Sequence, residues 1–321
     1  MKTKIISPLL LVALLSSCNQ ANIVIEDNVF CFATMIDVKL FEGEEKDKTT
    51  LHNLFIEYDA LSDNYQLVKD INNVSSINQT NEEIEVDARL YKMLETAFKV
   101  DEIDATNFNP LCGSLIKAWK DSLAKKEVLS TEVIASELAK MNSSSFSFKE
   151  NNVVSRSGEA EVDLGGIAKG YVLDEVYSYL TSKEYKHYLV NAGSSSILLG
   201  EKDSKDGLFN VGIDSKILSN KYLKLKNCFI STSSISEQGV EIDEKMYSHI
   251  IDPKTGNAIN EQDAVIVVSN KGYIGDALST SMMLNTVEEI KEIEKEQNVK
   301  CIVVKNKQVV YINNELEIFN R

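Results

Sequence analysis

The stretch EAEVDLGGIAKGYVLDEVYSYL, from Glu159 to Leu180, decides the class of the fold. Glu159 to Leu164 reads as a short strand and Gly165-Gly166 as a turn. Val172, Leu173, Val176, Tyr177 and Leu180 then recur at helical spacing and form one apolar face. Downstream, Tyr188 to Val190, Ser196 to Leu199, Leu208 to Ile213, Tyr222 to Leu225 and Cys228 to Ser231 read as sheet strands. Ala264 to Val268 is apolar throughout, as a strand covered on both faces would be. Tyr273 to Leu284 and Val287 to Gln297 are helical, and Cys301 to Val304 with Val309 to Asn313 make a terminal hairpin about Asn306-Lys307. Upstream, Phe30 to Phe41 reads as one strand, and Thr50 to Tyr58, Ala88 to Phe98, Leu115 to Ala124 and Thr131 to Lys140 as helices. Strands mixed with helices, without strict βαβ alternation, predict an α+β fold: one large mixed domain of sheets and packed helices. No repeat or low-complexity tract breaks residues 27–321, which are read as a single unit.

The start of the chain has another character. Lys2 and Lys4 precede an apolar run from Ile5 to Leu15 that closes on Ser16-Ser17-Cys18. A charged start, a short apolar core and small residues before the cut make a signal peptide, too short to span a bilayer stably. Leu15-Ser16-Ser17-Cys18 resembles a bacterial lipobox, which predicts a signal over residues 1–17 and a lipid-modified Cys18 anchoring the body outside the cytoplasm at a cell membrane. Residues 18–26 form the tether, and its eight extended residues after the cysteine reach on the order of 25 Å.

Composition narrows the function. The chain of 321 residues carries 34 basic against 49 acidic side chains, a formal net charge of −15, with no basic block to offset it. Sequence-independent nucleic-acid binding is therefore not expected. Three histidines, His52, His187 and His249, are too few and too scattered for a zinc site built on imidazole. Cys31, Cys112, Cys228 and Cys301 have no CxxC spacing and read as small core residues, a disulfide remaining open.

Three segments carry chemistry. In Asp163-Leu164-Gly165-Gly166-Ile167-Ala168-Lys169-Gly170, adjacent glycines permit close backbone approach to a ligand, the helix start favours anions, and Lys169 supplies a point charge; a tight turn with a surface lysine gives the same spacing. In Tyr247-Ser248-His249-Ile250-Ile251-Asp252-Pro253-Lys254-Thr255-Gly256, a neutral imidazole suits a general base near pH 7, and Asp252 could orient it or cap the turn. In Gly275-Asp276-Ala277-Leu278-Ser279-Thr280, a carboxylate and a hydroxyl at i and i+4 project from one helix face as hard oxygen ligands; a first-turn Asp on the helix dipole is the plainer alternative.

Taken in order, these segments resemble the ApbE family of FAD:protein FMN transferases, whose pattern includes Asp-x-Gly-Gly-x-x-Lys-Gly, His-x-x-Asp-Pro-x-Thr-Gly and Asp-Ala-x-x-Thr. Phe32-Ala33-Thr34 stands where the family has Met-Gly-Thr, Leu54 to Asp59 resembles the helix with a flavin-contacting Tyr58, and Thr106-Asn107-Phe108-Asn109-Pro110 resembles Gly-x-Phe-Asp-Pro, ahead of Trp119. Val190-Asn191-Ala192-Gly193 matches the family's Asn-Ala-Gly-Gly turn. Phe32, Asn109, Ser194 and Ser234 depart from it, replacing Met, Asp and two glycines.

The resemblance implies a T-fold-like architecture and FAD as substrate, held by Phe32, Tyr58, Asn107, Phe108, Asn109, Asp163, Lys169 and Ser248. It implies Mg²⁺ held by Asp276, Thr280 and the carbonyl of Gly166, with Lys169 adding charge near the phosphates. His249 would act as the base that activates a Ser or Thr hydroxyl of an acceptor protein, FMN remaining on the acceptor as AMP leaves. A metal-dependent FAD pyrophosphatase and a non-catalytic flavin-binding lipoprotein share the same features.

Overall fold

The computed structural model describes residues 24–103, 107–236, 239–259 and 262–321. The signal and lipobox, with Cys18, lie outside the described residues, as does Thr106.

The chain opens with a hairpin, β1 (Ile25–Cys31) and β2 (Thr34–Leu40). The sequence predicted one strand here, but Phe32 and Ala33 both adopt positive φ (50° and 55°) and turn the chain back. This is the two-residue loop whose twist matches a hairpin, built without glycine or asparagine, which is why its sequence does not announce it. Ile25 and Glu26 already belong to β1, so the folded body begins earlier than the expected residue 27.

A helical region follows: α1 (Glu45–Ser62), α2 (Val74–Asn78), the short β3 (Ile84–Glu85), α3 (Ala88–Ile103), α4 (Gly113–Ala124) and α5 (Thr131–Ser143). β4 (Ser145–Lys149) and β5 (Val153–Ser157) pair with each other and β5 with β3. The expected strand at Glu159–Leu164 is extended but belongs to no sheet. Its backbone bonds go elsewhere: Val162 exchanges bonds with the Asn78 side chain, and Asp163 N–H donates to the Pro110 carbonyl. Extended backbone satisfied one group at a time reads like a strand in sequence but forms no ladder.

Then come α6 (Ala168–Ser182), β6 (Tyr188–Ala192), β7 (Ser196–Leu199), β8 (Phe209–Gly212), β9 (Lys221–Leu225), β10 (Cys228–Ser234), β11 (Val240–Ile242), β12 (Lys245–Tyr247) and β13 (Ala264–Ser269). The chain ends with α7 (Gly272–Ser281), a 3₁₀ turn over Met282–Leu284, α8 (Val287–Gln297), β14 (Lys300–Lys305), β15 (Gln308–Ile312) and β16 (Ile318–Asn320).

Eight strands form the central sheet in the order β1-β2-β6-β7-β10-β13-β14-β15, every pair antiparallel. Its period-2 alternation sends Ile266, Val268, Ile302 and Val304 to one face, under the small β16-β9-β8 sheet. Val265, Val267, Cys301 and Val303 face α7 and α8 on the other. The fold is therefore the expected α+β domain, with helices over one face of an antiparallel sheet. β1 and β15 are its outer strands, and β15 leaves Val309 and Val310 exposed at 38% and 49%. The described cysteines are free and buried.

Candidate functional site

The site is built where α6 and α7 cross above β7 and β10. The crossing is unusually close: a Cβ on Gly170 would lie 2.1 Å from the Gly272 carbonyl oxygen, and one on Gly272 2.2 Å from that of Gly170. Only glycine fits at either position. A Cβ on Gly275 would meet the hydroxyls of Ser231 and Ser269 at 2.7 and 2.8 Å, so α7 also lies directly on the sheet.

That proximity delivers Asp276 into a dry, polar pocket. Its Oδ2 accepts from Gly170 N–H at 2.6 Å, and its Oδ1 accepts from the hydroxyls of Ser196 and Ser231, both at 2.7 Å. Ser196 and Ser231 are register partners on β7 and β10, so the sheet presents both from one rung. Burial raises the carboxyl's pKa, opposed first by Lys169 and then by the serine hydroxyls. Neither serine was singled out from the sequence. Their signal is visible only afterwards, as hydroxyls buried at inward positions of two neighbouring strands.

Gly170 N–H would ordinarily bond the carbonyl of Gly166, four residues back. Because it donates to Asp276 instead, the Gly166 carbonyl is left with no partner among the described residues, whereas Ala168 and Tyr171 N–H keep their bonds to Leu164 and Ile167. Thr280, one turn beyond Asp276, shares its hydroxyl with Ser233 at 2.9 Å. Among the described residues no three His, Cys, Asp or Glu side chains are placed to hold a metal. One carboxylate, one hydroxyl and one freed carbonyl do fit a hard cation that retains water, as Mg²⁺ does.

Asp163 shapes the turn rather than facing outward. Its Oδ1 accepts from Gly165 N–H at 2.7 Å and its Oδ2 from Asn64 Nδ2 at 2.6 Å. Lys169, at the second position of α6, is half-buried and makes no hydrogen bond or ion pair among the described residues. Phe108 packs against Gly166, where a Cβ would lie 3.3 Å from its ring. On its other side a cavity of about 280 Å³ opens between Phe108, Asn109, Asn142 and Lys254. Asn109 Oδ1 accepts from Leu111 N–H, and Asn107 Nδ2 donates to Asn285 Oδ1 at 3.0 Å.

His249 follows the β11–β12 hairpin, which α4 and α5 cover through Trp119 and Ile134. Trp119 Nε1 donates to the Gly256 carbonyl at 2.7 Å and pins the Pro253-Lys254-Thr255-Gly256 turn. Of the two roles open to Asp252, the structure selects the cap: its oxygens accept from Lys254 N–H and the Thr255 hydroxyl. His249 Nδ1 is buried and has no hydrogen-bond partner among the described residues. Burial, and then repulsion from Lys169 and Lys120, pull its pKa down to about 4, so the imidazole is neutral across the physiological range. Ser248 is fully buried and its hydroxyl closes on the backbone of Ile250, accepting from N–H and donating to C=O.

Two aromatic positions differ from expectation in opposite ways. Tyr58, expected beside the flavin, is 3% exposed and packs into the main core against Tyr171, ring centroids 5.9 Å apart. Tyr65 was not singled out, yet it is 51% exposed beside Asn64, the partner of Asp163. Lys117 and Lys120 lie over its ring at 5.3 and 4.6 Å. Phe32 stands at the β1–β2 tip, its N–H donating to Asp59 Oδ1 at 2.7 Å. The structure thus gathers Gly166, Lys169, Asp276 and Thr280 about one crossing, with His249 within electrostatic reach of Lys169, and removes Tyr58.

The geometry can be set beside known proteins. The ApbE family model matches residues 32–303. An FAD:protein FMN transferase of Klebsiella pneumoniae (strain 342) is 27% identical over 281 residues, covering 85% of this chain and 87% of that protein. The crystal structure of the ApbE protein from Thermotoga maritima superposes with a TM-score of 0.76 at 22% identity, over 92% of this chain and 96% of that one. The flavin transferase ApbE from Vibrio cholerae gives a TM-score of 0.71 at 22% identity, with the same two coverages.

Proposed function

Because this chain belongs to the ApbE family, we propose that it is an FAD:protein FMN transferase, leaving FMN esterified to a serine or threonine of an acceptor protein while AMP departs. The observation that carries the reading is the diverted Gly170 N–H, which commits Asp276 to the crossing and frees the Gly166 carbonyl beside Lys169.

The start of α6 is the place for the pyrophosphate, since the helix dipole favours anions there. Lys169 adds an ammonium that acts on Asp276 through space without pairing with it. Asp276, Thr280 and the Gly166 carbonyl would hold Mg²⁺, which when bound supplies Lewis-acid neutralisation of phosphate oxygens. His249, neutral, takes the proton from the acceptor hydroxyl as its oxygen attacks the flavin-side phosphorus; the bond from that phosphorus to the AMP oxygen breaks. Phe108 and Tyr65 offer flat apolar surface to the ring systems of FAD. In such transfers positioning and charge neutralisation do most of the work.

The lipid anchor at Cys18 is part of the same proposal. With β1 starting at Ile25, the tether is short and the site would work close to the membrane on acceptors exposed outside the cytoplasm.

The test is incubation of the mature chain with FAD, Mg²⁺ and an acceptor bearing a Ser/Thr flavinylation motif, read by intact mass. A covalent FMN adduct with one AMP released per adduct is expected. Free FMN and AMP without adduct would make the protein a pyrophosphatase instead.

A further inference from the structure

Asp276 and Gly170 make only half of the α6–α7 crossing. One turn after Gly170, Asp174 reaches the other way: its Oδ2 accepts from Tyr273 N–H at 2.9 Å, in the first turn of α7. The two helices therefore exchange carboxylates. Asp276 of α7 holds the start of α6, and Asp174 of α6 holds the start of α7.

Three further facts mark Asp174 as more than a helix cap. Its Oδ1 is buried and has no hydrogen-bond partner among the described residues, an arrangement that costs stability and is not needed for capping. Lys271, the N-cap residue of α7, supplies no side-chain cap, so Asp174 satisfies that helix start from outside. The charges of Asp174 and Asp276 also repel across the crossing, and burial with that repulsion lifts the Asp174 carboxyl to about 6. Two carboxylates thus face one crossing, opposed there by Lys169 and Lys271.

We propose that Asp174 is a positioning residue for the cation site: by fixing the first turn of α7 against α6 it sets where Asp276 and Thr280 stand relative to the Gly166 carbonyl. The inference rests on the reading of Asp276 as a metal ligand given above. Asp174 touches neither metal nor FAD; it acts through the backbone of Tyr273. Removing its charge leaves α7 packed by Leu278 in the core but free to settle elsewhere along the crossing.

The experiment is a Mn²⁺ titration of the mature chain followed by electron paramagnetic resonance, run on wild type, Asp174→Asn and Asp276→Asn. Asp276→Asn should abolish the bound signal; if it does not, the metal reading itself fails. Given that loss, Asp174→Asn should weaken Mn²⁺ binding about tenfold and broaden the bound spectrum, while metal-free FAD affinity stays within twofold. Mn²⁺ binding unchanged in Asp174→Asn would overturn the inference, as would a parallel loss of metal-free FAD binding, which would mark a general structural role. Should Asp174→Asn fail to fold, Asp174→Glu keeps the charge on a longer arm. It should weaken Mn²⁺ binding threefold or more, and wild-type affinity in that variant would overturn the inference equally.

Discussion

At His249 burial acts first and two lysines add to it. Burial and the charges of Lys169 and Lys120 hold the imidazole at about 4, below its ordinary 6.5. As pH falls, the unfolded chain takes the proton first, near 6.5, and the folded chain only near 4. The stability this group contributes is therefore complete above 6.5 and lost between 6.5 and 4, at most about 3 kcal/mol. Lys169→Met should raise the imidazole midpoint toward 6.5 and flatten that part of the stability profile, as followed by histidine NMR and by denaturation across pH 4 to 7. A bound pyrophosphate would cancel the same lysine charges, so the midpoint should also rise on adding FAD. A midpoint unmoved by FAD would place the phosphates elsewhere. The structure brings together three residues that the sequence motifs single out, with Lys169 and Asp276 at the crossing and His249 within electrostatic reach. Tyr58 lies apart from them, in the core. It shares a stripe with Leu51, Phe55 and Leu61, all buried on one face of α1, and that periodicity is a core signature. Tyr65 lies in the following loop, where no period marks it.

Among elements, the α6–α7 crossing decides the most. Gly170 and Gly272 allow backbone contact, so Gly272→Ala should push the helices apart and destabilise by about 2 kcal/mol, overpacking outweighing the better helix propensity of alanine. Calorimetry would show the loss as a lower Tm, and a Tm at or above wild type would mean that the crossing can open without penalty. Turnover should fall more than stability does, because Asp276 moves with α7. Helices α1 and α3 to α8 were legible because their apolar spacing is regular and most are long. The strands at Val153–Ser157 and in the short β11–β12 pair were not, since mixed polar runs such as Val-Val-Ser-Arg-Ser show no clean alternation. The loop carrying His249 was legible as a turn from its Pro-Lys-Thr-Gly run, while the aromatic clamp of Trp119 on Gly256 joins residues far apart in sequence.

At the scale of the whole molecule, antiparallel pairing across eight strands makes one rigid floor on which the crossing, the serine rung and the β1–β2 tip keep their spacing. The acidic surface implied by a net charge of −15 repels nucleic acid and leaves the positive charge at Lys169 and Lys120 conspicuous. Asp276→Ala should abolish metal-dependent turnover, checked by AMP release, while the sheet and its far edge stay as they are. That far edge has a life of its own. β15 ends the sheet with unpaired backbone groups and two neighbouring valines, Val309 and Val310, open to solvent. Such an edge is a template on which a second chain can add a strand, so concentrated preparations should coalesce through β15 and gain β-sheet signal as they turn cloudy. Val310→Lys, placed far from the catalytic crossing, should keep them clear on storage and leave flavin transfer untouched.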